Sequence, residues 1–148
     1  MSSFSLETLL ENYGNPDKGY IFLGSGISRR VFLCPDKETV VKIPVEAWAQ
    51  TCNSIEEYNC HLGMRNEEMP QVAPCRVERV KGGKVLFMER VAPMMTPGDF
   101  CTLSVDEQEN FLKGLPWWVN EIDCFQVGRD KTGKIVAFDA GNRMFDKR

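Results

Sequence analysis

The rhythm of apolar and polar positions changes along the chain, and each change predicts a different element. Ser3-Phe4-Ser5-Leu6-Glu7-Thr8-Leu9-Leu10-Glu11 combines serine caps, an acidic first turn and helical apolar spacing, which predicts a short helix ending near Gly14-Asn15-Pro16. Three short runs follow, Gly19–Leu23, Arg30–Leu33 and Thr39–Ile43, separated by Gly24-Ser25-Gly26 and by the turn Pro35-Asp36-Lys37. Rich in β-branched and aromatic residues, they read as strands. Pro44 ends the third strand and can open a helix. From Val45 to about Met64 the pattern is helical: Trp48, Cys52, Ile55, Asn59 and Leu62 recur at spacings of four, three, four and three, marking one apolar face with Glu56 at its margin.

The alternation then returns. Val72-Ala73-Pro74-Cys75 leads into a strand to Val80, Lys81-Gly82-Gly83-Lys84 reads as a hairpin turn, and Val85–Met88 is the returning strand. A linker is expected over Pro93–Gly98, and Ser104 with Glu107 three residues on forms a capping box that starts a helix through Phe111 and Leu112. Gly114 and Pro116 interrupt it, and Trp117-Trp118-Val119-Asn120 continues after a kink. Helical neighbours lie about 100° apart, so one of the two tryptophans is expected to close the core while the other turns outward. Val127-Gly128, the turn Asp130–Gly133 and Ile135–Phe138 make a hairpin that closes on Asp139.

Composition narrows the class. At 148 residues, 43% hydrophobic and 26% charged, the chain builds one globular domain with a core. Its formal charge of −3 gives no nucleic-acid bias. The last twenty residues are locally basic (Arg129, Lys131, Lys134, Arg143, Lys147 and Arg148), either a solvated surface or a patch for an acidic partner. No apolar stretch is long enough to span a membrane and the N-terminal residues lack a signal-peptide layout, so a cytoplasmic protein is expected. The six cysteines are scattered without a Cys-x-x-Cys pair and there is a single histidine, His61, which predicts small apolar side chains in a reducing compartment and no structural metal.

The candidate chemistry lies in three separated signals. Gly24-Ser25-Gly26 allows backbone amides close to a phosphate, Lys42 ends a β-branched run and can neutralise it, and Asp139 closes a late strand where it can hold a metal. In this order they suit a magnesium nucleotide.

With these residues and this order of elements the sequence resembles the protein-kinase-like fold, and more narrowly the small, truncated kinase-like proteins encoded by bacteriophages. The likeness covers about residues 19 to 142. It implies an α+β fold in which an antiparallel five-stranded sheet with one helix (residues 1–91) is joined to a minimal C-terminal lobe (residues 92–148) in a single domain, 1–148. It implies ATP and Mg as ligands: Gly24, Ser25 and Gly26 over the phosphates, Lys42 paired with Glu56, Glu89 and Val91 in the hinge that meets adenine, and Asp139-Ala140-Gly141 in the place of Asp-Phe-Gly. Counting back from Val127-Gly128, Gln126 stands where the family has a metal-binding asparagine and Glu121 where it has the catalytic aspartate, with Asp123 as a second candidate base. Both replacements are one methylene longer, no His-Arg precedes either acid, Arg29-Arg30 stand where a third glycine often sits, and seven residues follow Gly141, with no activation segment among them. The implied function is that of a degenerate kinase-like protein, a pseudokinase, that binds a host protein in the host cytoplasm, with nucleotide binding either retained or vestigial. The alternative is an active ATP-dependent phosphotransferase using Lys42, Asp139 and Glu121 or Asp123. A third reading, an unrelated fold with structural glycines, would show no metal-dependent ATP binding.

Overall fold

The computed structural model describes residues 3–122 and 125–146. Helix α1 (Leu6–Tyr13) starts where the Ser5 side chain accepts the Thr8 N–H, one of the donors that a first turn leaves unpaired. Five strands follow: β1 (Ile21–Ser25), β2 (Arg29–Leu33), β3 (Thr39–Pro44), β4 (Cys75–Val80) and β5 (Gly83–Glu89). They form one antiparallel sheet in the order β1-β2-β3-β5-β4, with helix α2 (Gln50–Arg65) crossing between β3 and β4. Lys81-Gly82 turns β4 into β5, and Gly82 takes a φ of 99°, a conformation that favours glycine.

Residues paired across the sheet share a face. Val31, Lys42 and Leu86 are in register, as are Leu33, Val40 and Met88; this face packs on α2 and the later segments through Cys60, Val72, Ala73, Val136 and Ala140. Phe32, Val41 and Phe87 point the other way and pack with Ile43 and Val85 under Leu9 of α1. Strand β3 is thus buried on both sides, which is why apolar residues occupy both its faces, Val40 on one and Val41 and Ile43 on the other.

Beyond β5 a small sheet of β6 (Ala92–Pro93), β7 (Val127–Arg129) and β8 (Ile135–Ala137) forms in that order. Between β6 and β7 lie α3 (Pro97–Cys101), capped by Thr96, and α4 (Val105–Leu112), whose start is the Ser104–Glu107 capping box. Gly128 makes the β6–β7 contact possible: a Cβ there would sit 2.1 Å from the Ala92 carbonyl oxygen. Gly128→Ala is therefore expected to lower stability by roughly 1–3 kcal/mol, as overpacked sites do. An unchanged urea midpoint would mean that β6 moves aside freely.

The structure corrects several expectations. The first strand starts at Ile21, after a 3₁₀ turn over Pro16–Lys18, and the helix expected from Val45 starts at Gln50, after a 3₁₀ turn over Ala47–Ala49. Part of the expected linker is structured, because α3 begins at Pro97, where a proline suits a first turn. The inner face of α2 is one step round from the apolar stripe: Asn53, Glu56, Asn59, Cys60 and Gly63 are buried, while Trp48 precedes the helix and is exposed. Tertiary hydrogen bonds, described below, satisfy that polar face. After α4 the chain makes a 3₁₀ turn over Trp117–Glu121; Trp118 is 2% exposed and Trp117 is 59% exposed, the outward and inward pair that the spacing predicts.

Candidate functional site

Four charged side chains meet where the inner face of the sheet, α2 and the segment after β8 converge. Lys42 extends from β3, and its ammonium donates to Glu56 Oε1 at 2.8 Å and to the Phe138 carbonyl oxygen at 2.5 Å. Arg29, the first residue of β2, donates from Nη1 to the same Glu56 Oε1 at 2.5 Å and from Nη2 to Asp139 Oδ1 at 2.7 Å. The second oxygen of Glu56 accepts the Ala140 N–H at 2.6 Å. Two cations and two carboxylates therefore form a neutral quartet, in which Arg29, Lys42 and Glu56 are buried and only Asp139 is open, with 40% of its side chain exposed.

Helix α2 presents a polar face here because its partners are backbone groups. Asn53 donates to the carbonyls of Lys42 (3.3 Å) and Lys84 (3.0 Å) and accepts from Arg29 Nη1 (3.2 Å). One turn and a half further on, Asn59 donates to the Ala140 and Arg143 carbonyls and accepts the Phe145 N–H, fixing the chain that follows Asp139. No buried side-chain nitrogen or oxygen among the described residues lacks a partner.

One carboxylate serves two buried cations, and the charge states follow. Burial alone would raise the Glu56 pKa, but Lys42, then Arg29, and the hydrogen bonds hold it below the usual glutamate value. Burial lowers Lys42; its shared attraction to Glu56 offsets this only in part, and Arg29 adds repulsion. Burial lowers Arg29 as well, but Glu56, which it shares with Lys42, and then Asp139 outweigh that and hold its pKa up.

The remaining predicted residues lie elsewhere. Gly24 and Gly26 belong to the β1–β2 hairpin, with open space where a Cβ would stand, and the Ser25 hydroxyl donates to the Gly26 carbonyl. Glu89 ends β5 and accepts the Lys131 N–H at 3.2 Å, and Val91 packs against the inner core. The Gln126 carbonyl accepts the Phe138 N–H, tying β7 to the approach to Asp139. Glu121 is exposed and lines a concavity of about 310 Å³ with Met69, Pro70, Trp117, Arg143 and Phe145. A second, of about 340 Å³, lies between Glu38, Cys75, Met88 and Lys131. Neither concavity includes Lys42 or Asp139. Asp123 lies outside the described residues.

Among the described residues, no group of three or more His, Cys, Asp and Glu side chains is placed to hold a metal. Cys34, Cys52, Cys60, Cys75 and Cys101 are free thiols; burial pushes Cys34 up to about 11, whereas Cys101 is exposed rather than a core residue. The basic positions of the late segment are partly engaged within the fold, Lys134 with Gln71 and Lys131 with Glu38. No described helix is long and apolar enough to cross a membrane.

Arg29, a member of the quartet, is the residue that reads in the sequence only as an irregularity of the glycine loop. The signal was present: Arg29, Val31 and Leu33 alternate along β2, and the last two face inward.

No protein-family model matches the sequence, and none of the curated proteins matches it. Solved structures do. The chain is similar to an aminoglycoside phosphotransferase described as APH(2")-IIIa in complex with GDP and kanamycin, with a TM-score of 0.53 and 14% identity over 80% of this chain and 41% of that one. It is likewise similar to the GDP complex of the wild-type aminoglycoside 2'-phosphotransferase-IIIa, with a TM-score of 0.52, 14% identity, and 80% and 41% of the two chains covered. The GDP complex of a point mutant of that enzyme gives 0.52 and 15% over 80% and 40%. The chain thus spans about two fifths of these proteins. At this identity the likeness establishes the fold alone: α+β and protein-kinase-like, in a chain whose main sheet is five-stranded and antiparallel.

Proposed function

We propose that the chain is a kinase-like protein that works by binding another macromolecule, a host protein if it is phage-encoded, and not by phosphoryl transfer. The observation that carries this reading is the closed quartet: Arg29 engages Asp139, and Glu56 engages both cations. A transferase needs such groups aimed at the phosphates and held ready in the water-excluded site. Here they are aimed at one another. Binding to a protein is supported by apolar side chains left in water: Ile21, Phe22 and Leu23 on edge strand β1, Ile27 at the hairpin tip and Trp117 near the second sheet.

A second reading, an active ATP-dependent phosphotransferase, is favoured by the Lys42–Glu56 pair itself and by the open face of Asp139. Glu121 or Asp123 would then accept the proton of the attacking hydroxyl. One experiment separates the two. Labelled ATP with Mg is offered to the chain together with protein acceptors and aminoglycosides, beside Lys42→Ala, Asp139→Asn, Glu121→Gln and Asp123→Asn. The expected result is no transfer above that of the variants. Robust transfer lost in Asp139→Asn and in one of the two acid variants would overturn the binding reading.

A further inference from the structure

We propose that Arg29 is the resident cation of this centre: its guanidinium takes the place beside Asp139 that a divalent metal would need, so that any nucleoside polyphosphate that binds here does so without one. The inference deepens the reading above and rests on it in one respect, that the charged groups of the quartet are aimed at one another.

The residues present do not fit a magnesium ion. Magnesium takes six oxygen ligands in near-octahedral geometry and is usually held through one or two carboxylates together with the substrate's phosphates. Both oxygens of Glu56 are engaged, Oε1 by Arg29 and Lys42 and Oε2 by the Ala140 N–H. Asp139 is left as the single acid with an open side, and its Oδ1 accepts from Arg29 at 2.7 Å. Arg29 is held from three directions, by Glu56, Asp139 and Asn53, and is 6% exposed. Gly141 shapes this seat: a Cβ there would stand 2.9 Å from Arg29 Nη2 and 2.7 Å from the Cys52 carbonyl oxygen, so a bare backbone is needed beside the guanidinium.

Charge points the same way. Two cations already face two carboxylates, so a bare divalent ion would bring an excess of two positive charges into a cluster with no further acid among the described residues to meet it. Expelling the guanidinium from Asp139 would leave it beside Lys42, a second buried cation. A phosphate meets no such conflict. A guanidinium has five N–H donors, and the bonds to Glu56, Asn53 and Asp139 use three. Planar guanidinium groups bind phosphate oxygens well, and here one is fixed next to a lysine.

The test uses manganese in place of magnesium, read from the free-ion paramagnetic resonance signal, together with ATP titrations by calorimetry in EDTA and in magnesium. The full chain is expected to leave the manganese signal undiminished and to bind ATP equally in both media. Arg29→Met is expected to capture manganese, and the capture to be lost when Asp139→Asn is added. Arg29→Lys, which keeps the charge if Arg29→Met fails to fold, is expected to leave manganese free. Manganese captured by the unaltered chain and lost in Asp139→Asn would overturn the proposal, and so would ATP binding that requires magnesium or is absent in both media. Phosphate transfer would instead overturn the binding function. Manganese capture without transfer would sink the resident-cation proposal alone.

Discussion

Glu56→Gln is expected to lower the free energy of unfolding by roughly 3–5 kcal/mol, because the variant leaves Lys42 and Arg29 buried without their shared counter-charge. For a chain of this length that corresponds to a fall in Tm of roughly 6–20 °C, taking about 2–4 °C for each kcal/mol. Calorimetry reads it directly, and a loss under about 1 kcal/mol would show that water enters and solvates the cations. The same group sets an acid limit. Its folded pKa lies below its unfolded one, so its contribution is fully present above the unfolded value of 4.5 and is lost as pH falls through the folded value. Lys42 acts in the opposite range. Its folded pKa is below 10.5, so the unfolded chain holds its proton longer and stability rises with pH between the two values. Glu56→Gln should flatten the acid limb of the stability profile.

Two adjacent tryptophans give the second large effect. Trp118 is buried with Val119, Ile122, Val127 and Ala137, the cluster that unites the 3₁₀ turn with the small sheet. Trp118→Ala is expected to cost roughly 3–5 kcal/mol, the range for a large aromatic side chain removed from a core. Trp117→Ala, at an exposed position whose indole donates to the Glu68 carbonyl at 3.2 Å, is expected to stay within about 0.5 kcal/mol of the parent. Urea unfolding of the two variants checks the contrast. Equal losses would mean that Trp117 carries core packing and is not available to a partner.

The sheet was legible because its signals are local. Glycine and proline turns bracket each strand, and β3 is apolar enough to be read without its neighbours. The Ser104 capping box and the hairpin ending at Asp139 were legible for the same reason. Helix α2 was misread by one step, since apolar spacing cannot register an inner face made of Asn53, Glu56 and Asn59. The two asparagines are satisfied by carbonyls of Lys42, Lys84, Ala140 and Arg143, and Glu56 by Arg29, Lys42 and the Ala140 N–H; nothing near them in sequence announces such partners. The site was half legible. Lys42 and Glu56 followed from strand and helix order, but Arg29 read as a flaw in a glycine loop, because its meaning depends on Asp139, which lies 110 residues away.

That separation has a consequence for how the protein is made. On the ribosome, Arg29, Lys42 and Glu56 emerge long before Asp139, and a chain is synthesised at roughly 5–20 residues per second. Until Asp139 is in place, a tightly docked α2 would hold two cations against one carboxylate and trap an excess positive charge. Tight closure of the first half is therefore expected to be coupled to the folding of the segment that carries Asp139.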